Sequence, residues 1–190
     1  MSERPKRIAV GITGSSGAVY ALDFLKRCPY DKYLVVSKWG KAILKDELGL
    51  ADPIADLAPY YKRNFLDSDM TAPLASGTNH IDAFVILPAS TSTIGKIASG
   101  IGDTLLTRTA AVCLKERTKL IICVRETPLS TITLRQCADL SAEGALIMPI
   151  SPPLYFVPKT VEEYVQGFVN KVLAHVGVEV GGGWRAEELE

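Results

Sequence analysis

Short apolar runs at residues 8–12, 33–36, 83–87, 120–124 and 145–148 recur along the chain, each bordered by polar or charged residues. Runs of this length, rich in Val and Ile, read as strands buried on both faces of a sheet. The segments between them carry apolar residues at helical spacing, and this alternation predicts a parallel sheet with helices on both sides. The final helix has the clearest pattern. Val161, Tyr164, Val165, Phe168, Val169 and Val172 form one stripe, and Thr160 with Glu163 makes a capping box at its start. Residues 50–58 and 59–76 break any period with Pro, Asp and paired tyrosines, which predicts a short helix followed by an ordered loop. Gly181-Gly182-Gly183 reads as a joint. One domain over residues 1–180 is therefore expected, with a flexible tail over 181–190.

Composition narrows what such a domain can do. At 190 residues, 47% hydrophobic and 22% charged, the chain has the composition of an ordinary globular protein with one sizeable core. The alternation of runs makes the expected fold an α/β domain of the Rossmann-like or flavodoxin-like kind, a three-layer sandwich around its parallel sheet. Lys plus Arg and Asp plus Glu balance at 21 each, so no overall charge draws the protein to nucleic acid or an anionic membrane. Any cationic site must be local. No apolar run approaches the roughly 20 residues of a membrane helix. The start, Met1 to Arg7, has no apolar signal-peptide core behind it, so a cytoplasmic protein is expected. Cys28, Cys113, Cys123 and Cys137 are widely spaced with only His80 and His175 to help them. Reduced thiols are expected, without a metal site or a disulfide framework.

Strands of a parallel sheet share a direction, so the segments that follow them share one edge, where open α/β sheets bind ligands. Four such segments carry polar chemistry. Gly11-Ile12-Thr13-Gly14-Ser15-Ser16-Gly17-Ala18 leads into a helix expected over 19–26. Its glycines permit a tight turn, and its hydroxyls and the free N–H groups of the helix start suit an anion such as phosphate. It departs from Gly-x-Gly-x-x-Gly and from the P-loop, and a plain strand-to-helix turn would use the same residues. Ser37-Lys38 follows the second run, where the ribose or ring edge of a nucleotide usually lies and where a solvated loop would serve equally. Pro88-Ala89 precedes four consecutive hydroxyl residues, Ser90, Thr91, Ser92 and Thr93. One hydroxyl makes a helix cap; four exceed that need and suit a flavin ring or a phosphate. Arg125-Glu126-Thr127-Pro128 places two opposite charges and a rigid Pro where the fourth run leaves the core.

Joined with Leu106-Thr107-Arg108, Leu114-Lys115-Glu116-Arg117, Leu129 and the pair Tyr155 and Pro158, these segments closely resemble the flavin prenyltransferases of the UbiX/Pad1 family over about residues 6–173. Lys115-Glu116-Arg117 and Arg125-Glu126-Thr127-Pro128 are the parts that set that family apart from other flavoproteins of the same fold. The resemblance implies an enzyme that transfers a dimethylallyl group from dimethylallyl phosphate to N5 and C6 of reduced FMN, and hands the prenylated FMN to a UbiD-type decarboxylase. It also implies homo-oligomers, commonly dodecamers, with FMN near subunit contacts. By the same resemblance, FMN is held by Gly14, Ser15, Ser16, Ser37, Ser90, Thr91, Ser92, Thr93 and Arg125. Lys115, Arg125, Tyr155 and Lys171 would hold the prenyl phosphate, with Trp184 as the C-terminal aromatic over the prenyl pocket. Glu126, Lys115 and Ser15 would be catalytic, with Glu47 a second candidate for proton transfer. Breaking the allylic carbon–oxygen bond releases a phosphate and a delocalised cation. With no Asp-Asp-x-x-Asp to hold Mg²⁺, basic side chains would neutralise that phosphate through charge-assisted bonds, so metal-independent transfer is expected.

Each assignment has a plainer rival. Lys115-Glu116-Arg117 ends a helix expected over 104–117 and would equally make a solvated terminus. Arg108 reads as an interface ion-pair residue, Tyr155 as packing, and Lys171 as a Lys snorkelling beside the apolar stripe. Lys171 also stands where many family members carry Arg, which loosens a planar grip on phosphate. Asn79-His80-Ile81 and Pro88-Ala89-Ser90 resemble the flavin-dependent cysteine decarboxylases instead. They leave an alternative, an FMN-dependent oxidative decarboxylase of a cysteine-containing substrate with His80 near the flavin.

Overall fold

The structure, a computed structural model, describes residues 5–181 and 185. Trp184 and most of the expected flexible tail lie outside the described residues. Six strands form the sheet: β1 (Arg7–Ile12), β2 (Asp31–Val36), β3 (Arg63–Leu66), β4 (Ala83–Ala89), β5 (Lys119–Val124) and β6 (Leu146–Pro149). They run parallel in the order β3-β2-β1-β4-β5-β6. This is the Rossmann order of a doubly wound sheet, and its topological switch lies between β1 and β4. The apolar runs predict every strand but β3, with ends within two residues of those observed.

Among the described residues seven α-helices cover the two faces: α1 (Ala18–Arg27), α2 (Lys38–Leu48), α3 (Pro53–Asp56), α4 (Thr91–Ala98), α5 (Leu105–Lys115), α6 (Thr131–Ala142) and α7 (Val161–His175). Successive strand residues point to opposite faces. Ile8, Val10 and Ile12 join Phe24 of α1, Leu44 of α2 and Val169 of α7 in one core. Ala9, Phe84 and Ile86 join Ile94 of α4, Leu105 of α5 and Leu140 of α6 in the other. A fully buried side chain of this size contributes about 1.5–3 kcal/mol, so the two cores hold the sheet edge as a rigid platform.

Residues 59–76 are a loop only in part. They contain β3, where Phe65 is buried and Arg63 and Leu66 are exposed, and a 3-10 turn at Pro73–Ala75. The stripe on α7 is also shifted. Val161 and Tyr164 are exposed, while Val165, Gly167, Phe168, Val169, Val172 and Leu173 are buried. Thr160 Oγ1 accepts the Glu163 N–H at 3.1 Å, but the Glu163 carboxylate turns to the Lys159 N–H at 2.5 Å, so half of the predicted capping box forms. Gly40, the third residue of α2, is buried against the end of β1: a Cβ there would stand 2.3 Å from the Ile12 carbonyl oxygen. That same carbonyl accepts the Ser37 N–H at 3.0 Å, so strand end and helix start are seated directly on each other.

Candidate functional site

The segments after β1, β2, β4 and β5 meet at the sheet edge beside the switch point. Thr13 laces two of them together. Its hydroxyl donates to the Pro88 carbonyl at 2.8 Å and accepts the Ser90 N–H at 2.7 Å, and its own N–H donates to Pro88 O at 3.2 Å. Ser15 ties in the third: its Oγ donates to the Arg125 carbonyl at 2.5 Å. Between these loops and α2 opens a cavity of about 420 Å³ lined by Gly14, Ser37, Ser90, Ser92 and Thr93. Ser15, Ser16, Thr91 and Arg125 belong to the same edge without lining the cavity.

Four helix starts border the cavity and its loops, and their electrostatics differ. At α2 the Ser37 hydroxyl accepts the Gly40 N–H at 3.0 Å; at α4 the Ser90 hydroxyl accepts the Thr93 N–H at 3.4 Å. The amides of Lys38, Trp39, Thr91 and Ser92, the first two of each helix, have no partner among the described residues. The other two helix starts are closed by carboxylates. Glu47 Oε2 accepts the N–H groups of Gly17 and Ala18 at 2.9 and 2.8 Å. Asp67 accepts the Leu105 N–H on its carbonyl at 2.7 Å and the Leu106 N–H on its carboxylate at 2.9 Å. The start of α1, expected to offer free N–H groups to an anion, is thus already occupied by one from the chain itself. The bare amides that suit phosphate are those of α2 and α4.

Burial pulls the Glu47 carboxyl upward, but hydrogen bonds from the Ser16 side chain and the Gly17 and Ala18 amides, with the Arg125 charge, bring it below its ordinary value. A depressed carboxyl stabilises the fold above its unfolded pKa, and that contribution is lost as pH falls through the lower folded value. Glu47→Gln is therefore expected to unfold more easily than the wild type at neutral pH. The gap should close below the unperturbed value of 4.5. Urea titrations of both proteins at a series of pH values check this; a gap that persists at acid pH would show that the Glu47 charge is not its source.

The remaining predicted residues do not gather at this cavity within one chain. Arg125 and Glu126 are exposed at the end of β5, where Glu126 Oε1 accepts the Thr127 N–H at 3.0 Å. Tyr155 and Lys171 come together in a second cavity of about 640 Å³ on the outer side of α7. Gly167 lets the Phe156 ring close on α7: a Cβ there would meet that ring at 2.2 Å. Lys115 lies at the other end of α5, about 16 Å along the helix from its start, and pairs with Glu116. The helix ends there, two residues short of the predicted boundary, with Arg117 in the left-handed region at φ 56°. Bonds from the Arg117 N–H to Leu114 O at 3.3 Å and from the Thr118 N–H to Cys113 O at 2.9 Å complete a Schellman turn in which glycine is usual. His80 stands at that same far edge, its side chain 67% exposed and its Nε2 3.6 Å from Asp82, so in its own chain it does not face the cavity.

Trp39, Asp67, Lys96, Thr104, Leu106 and Thr107 also line the cavity and were not singled out as site residues from the sequence, although Leu106 and Thr107 lie in a family motif. Asp67 follows directly from β3, the strand whose short pattern carries no clear period. Thr104 and Thr107 form the capping box of α5, a Thr-x-x-Thr spacing that a stricter search for caps would have found.

The Flavoprotein family model matches residues 1–172. The chain is 44% identical to "Flavin prenyltransferase UbiX" of Thermoplasma acidophilum, over 90% of this chain and 95% of that one. It superposes with a TM-score of 0.88 and 33% identity on AnUbiX (PadA1), crystallised in complex with FMN and dimethylallyl pyrophosphate, covering 96% of this chain and 100% of the other. A dodecameric FMN-dependent UbiX-like decarboxylase from Escherichia coli O157:H7 superposes with a TM-score of 0.86 and 33% identity, over 94% of this chain and 100% of that chain.

Proposed function

The chain belongs to the flavoprotein family, among its flavin prenyltransferases, and we propose that it transfers a dimethylallyl group from dimethylallyl phosphate to N5 and C6 of reduced FMN. The observation that carries this reading is the cavity at the β1/β4 switch, with bare helix amides at one side and the Arg125-Glu126 loop bonded to the same glycine-rich segment. The donor set fits FMN. Two uncapped pairs of amides suit its phosphate, and the hydroxyls of Ser37, Ser90, Ser92 and Thr93 suit the ribityl chain. When bound, reduced FMN supplies the nucleophilic N5 and C6 positions.

The chain's own groups would then divide the work. Ser15, anchored on the Arg125 carbonyl, fixes the loop beside the reacting centre. The Arg125 guanidinium would neutralise phosphate, and Glu126 would move the proton released on ring closure. Glu47, as a carboxylate bound to two amides, holds the glycine-rich turn in place. Tyr155 and Lys171 line a cavity of their own, so like Lys115 they would bring a hydroxyl and an ammonium to the prenyl phosphate at the flavin site of a neighbouring copy. Lys115 would reach a site only from a neighbouring copy of the chain, which agrees with a homo-oligomer of the dodecameric kind seen in the UbiX-like structure from E. coli. The prenylated FMN would pass to a UbiD-type decarboxylase. We read residues 1–180 as a single flavin-binding domain working in the cytoplasm, a setting with which its four free thiols are compatible.

Anaerobic incubation with FMN, a reductant and dimethylallyl phosphate, followed by mass analysis of the released flavin, tests the reaction. A five-carbon gain that requires the protein is the expected result. Unmodified flavin under these conditions would overturn the proposal.

A further inference from the structure

We propose that Trp39 is the aromatic wall of the flavin site, the surface on which the isoalloxazine ring lies; the inference rests on the FMN reading above. Trp39 is the second residue of α2, directly beyond the Ser37 cap, and it is 67% exposed. So much indole surface left in water asks for an occupant. Its place is fixed from below: a Cβ on Gly14 would stand 2.4 Å from the Trp39 Cβ, so the glycine-rich turn and the start of α2 are in close contact at that point. The Lys38 ammonium lies 5.3 Å from the ring centroid, a cation–π contact that helps to hold the ring.

The cavity itself supplies the rest of the argument. Among the described residues that line it, Trp39 is the only aromatic and Leu106 the only aliphatic; the others are glycine, hydroxyl-bearing or charged. Phosphate and ribityl groups therefore have many partners, while a flat tricyclic ring has two. Offset stacking on an indole is the favourable arrangement for such a ring, and it adds to the gain from area burial. Gly14 serves the same arrangement, because any side chain at that position would displace Trp39 from the cavity rim.

Two substitutions test the role, Trp39→Leu, which keeps apolar bulk without a π face, and Trp39→Phe, which keeps a ring. Trp39→Leu is expected to weaken FMN binding about tenfold and to raise the fluorescence of bound FMN, since an adjacent indole quenches it. Trp39→Phe should recover most of the affinity. Equal affinity and unchanged emission in Trp39→Leu would overturn the proposal. So would loss of FMN accompanied by a changed sedimentation mass, which would assign Trp39 to a contact between copies. The two readings fail separately: wild-type protein that binds FMN but makes no prenylated flavin overturns the transferase and leaves the Trp39 titration decisive. Wild-type protein that takes up no FMN overturns both.

Discussion

Replacing Glu126 with Gln is expected to slow flavin modification by about 10²- to 10⁴-fold, the usual weight of a general acid or base, while FMN affinity stays nearly unchanged. The separation follows from position. Glu126 is exposed one residue beyond Arg125 and does not line the cavity that fits FMN. Its bond among the described residues, from the Thr127 N–H to Oε1 at 3.0 Å, needs only an acceptor, which the Gln amide oxygen also provides. The loop should therefore keep its shape and lose only the group that can take up and release a proton. Single-turnover anaerobic assays read by mass, set beside FMN titrations of the same preparation, measure both quantities. A parallel fall in binding and rate would make Glu126 a structural residue.

The largest effect on stability is expected at Gly40. Gly40→Ala would drive a methyl to 2.3 Å from the Ile12 carbonyl oxygen and 2.9 Å from its carbon, contacts with backbone that no rotamer change relieves. Overpacking typically costs 1–3 kcal/mol; with rigid atoms on both sides, a loss of about 3 kcal/mol is expected at this site. The same displacement lifts the start of α2, carrying Ser37 and Trp39 away from Gly14, so FMN affinity should fall with stability. Urea unfolding and FMN titration together check this, and a loss below about 1 kcal/mol would mean that α2 shifts freely on the sheet.

The central layer was legible because β1, β4 and β5 are covered on both faces, so their sequences are continuous apolar runs that nothing else in the chain imitates. β3 was not, because at a sheet edge only Phe65 is buried and four residues give alternation no room to repeat. The hydroxyl run Ser90–Thr93 and the serine after β2 were placed correctly at the sheet edge for a physical reason: direction is shared in a parallel sheet. What pattern could not show was which helix starts were already filled. Glu47 lies 30 residues from Gly17 in the chain, and Asp67 lies 39 from Leu106; such pairings come from the third dimension alone. The wide separation of Lys115 from Arg125 has the same origin, since a helix of 11 residues carries its two ends to opposite edges of the sheet.

The closed starts of α1 and α5 sort anions by how long they should stay. With Glu47 and Asp67 in place, the bare backbone amides beside the cavity are those of α2 and α4, and backbone anchored in two cores does not swing away. On the proposed assignment, a cofactor phosphate held there is a resident. The second phosphate, that of the prenyl donor, depends on Arg125, Lys171 and Tyr155, exposed side chains that can release what they grip. One anion is thus berthed on scaffold and the other on movable arms, so the spent phosphate can depart after each transfer without loosening the flavin.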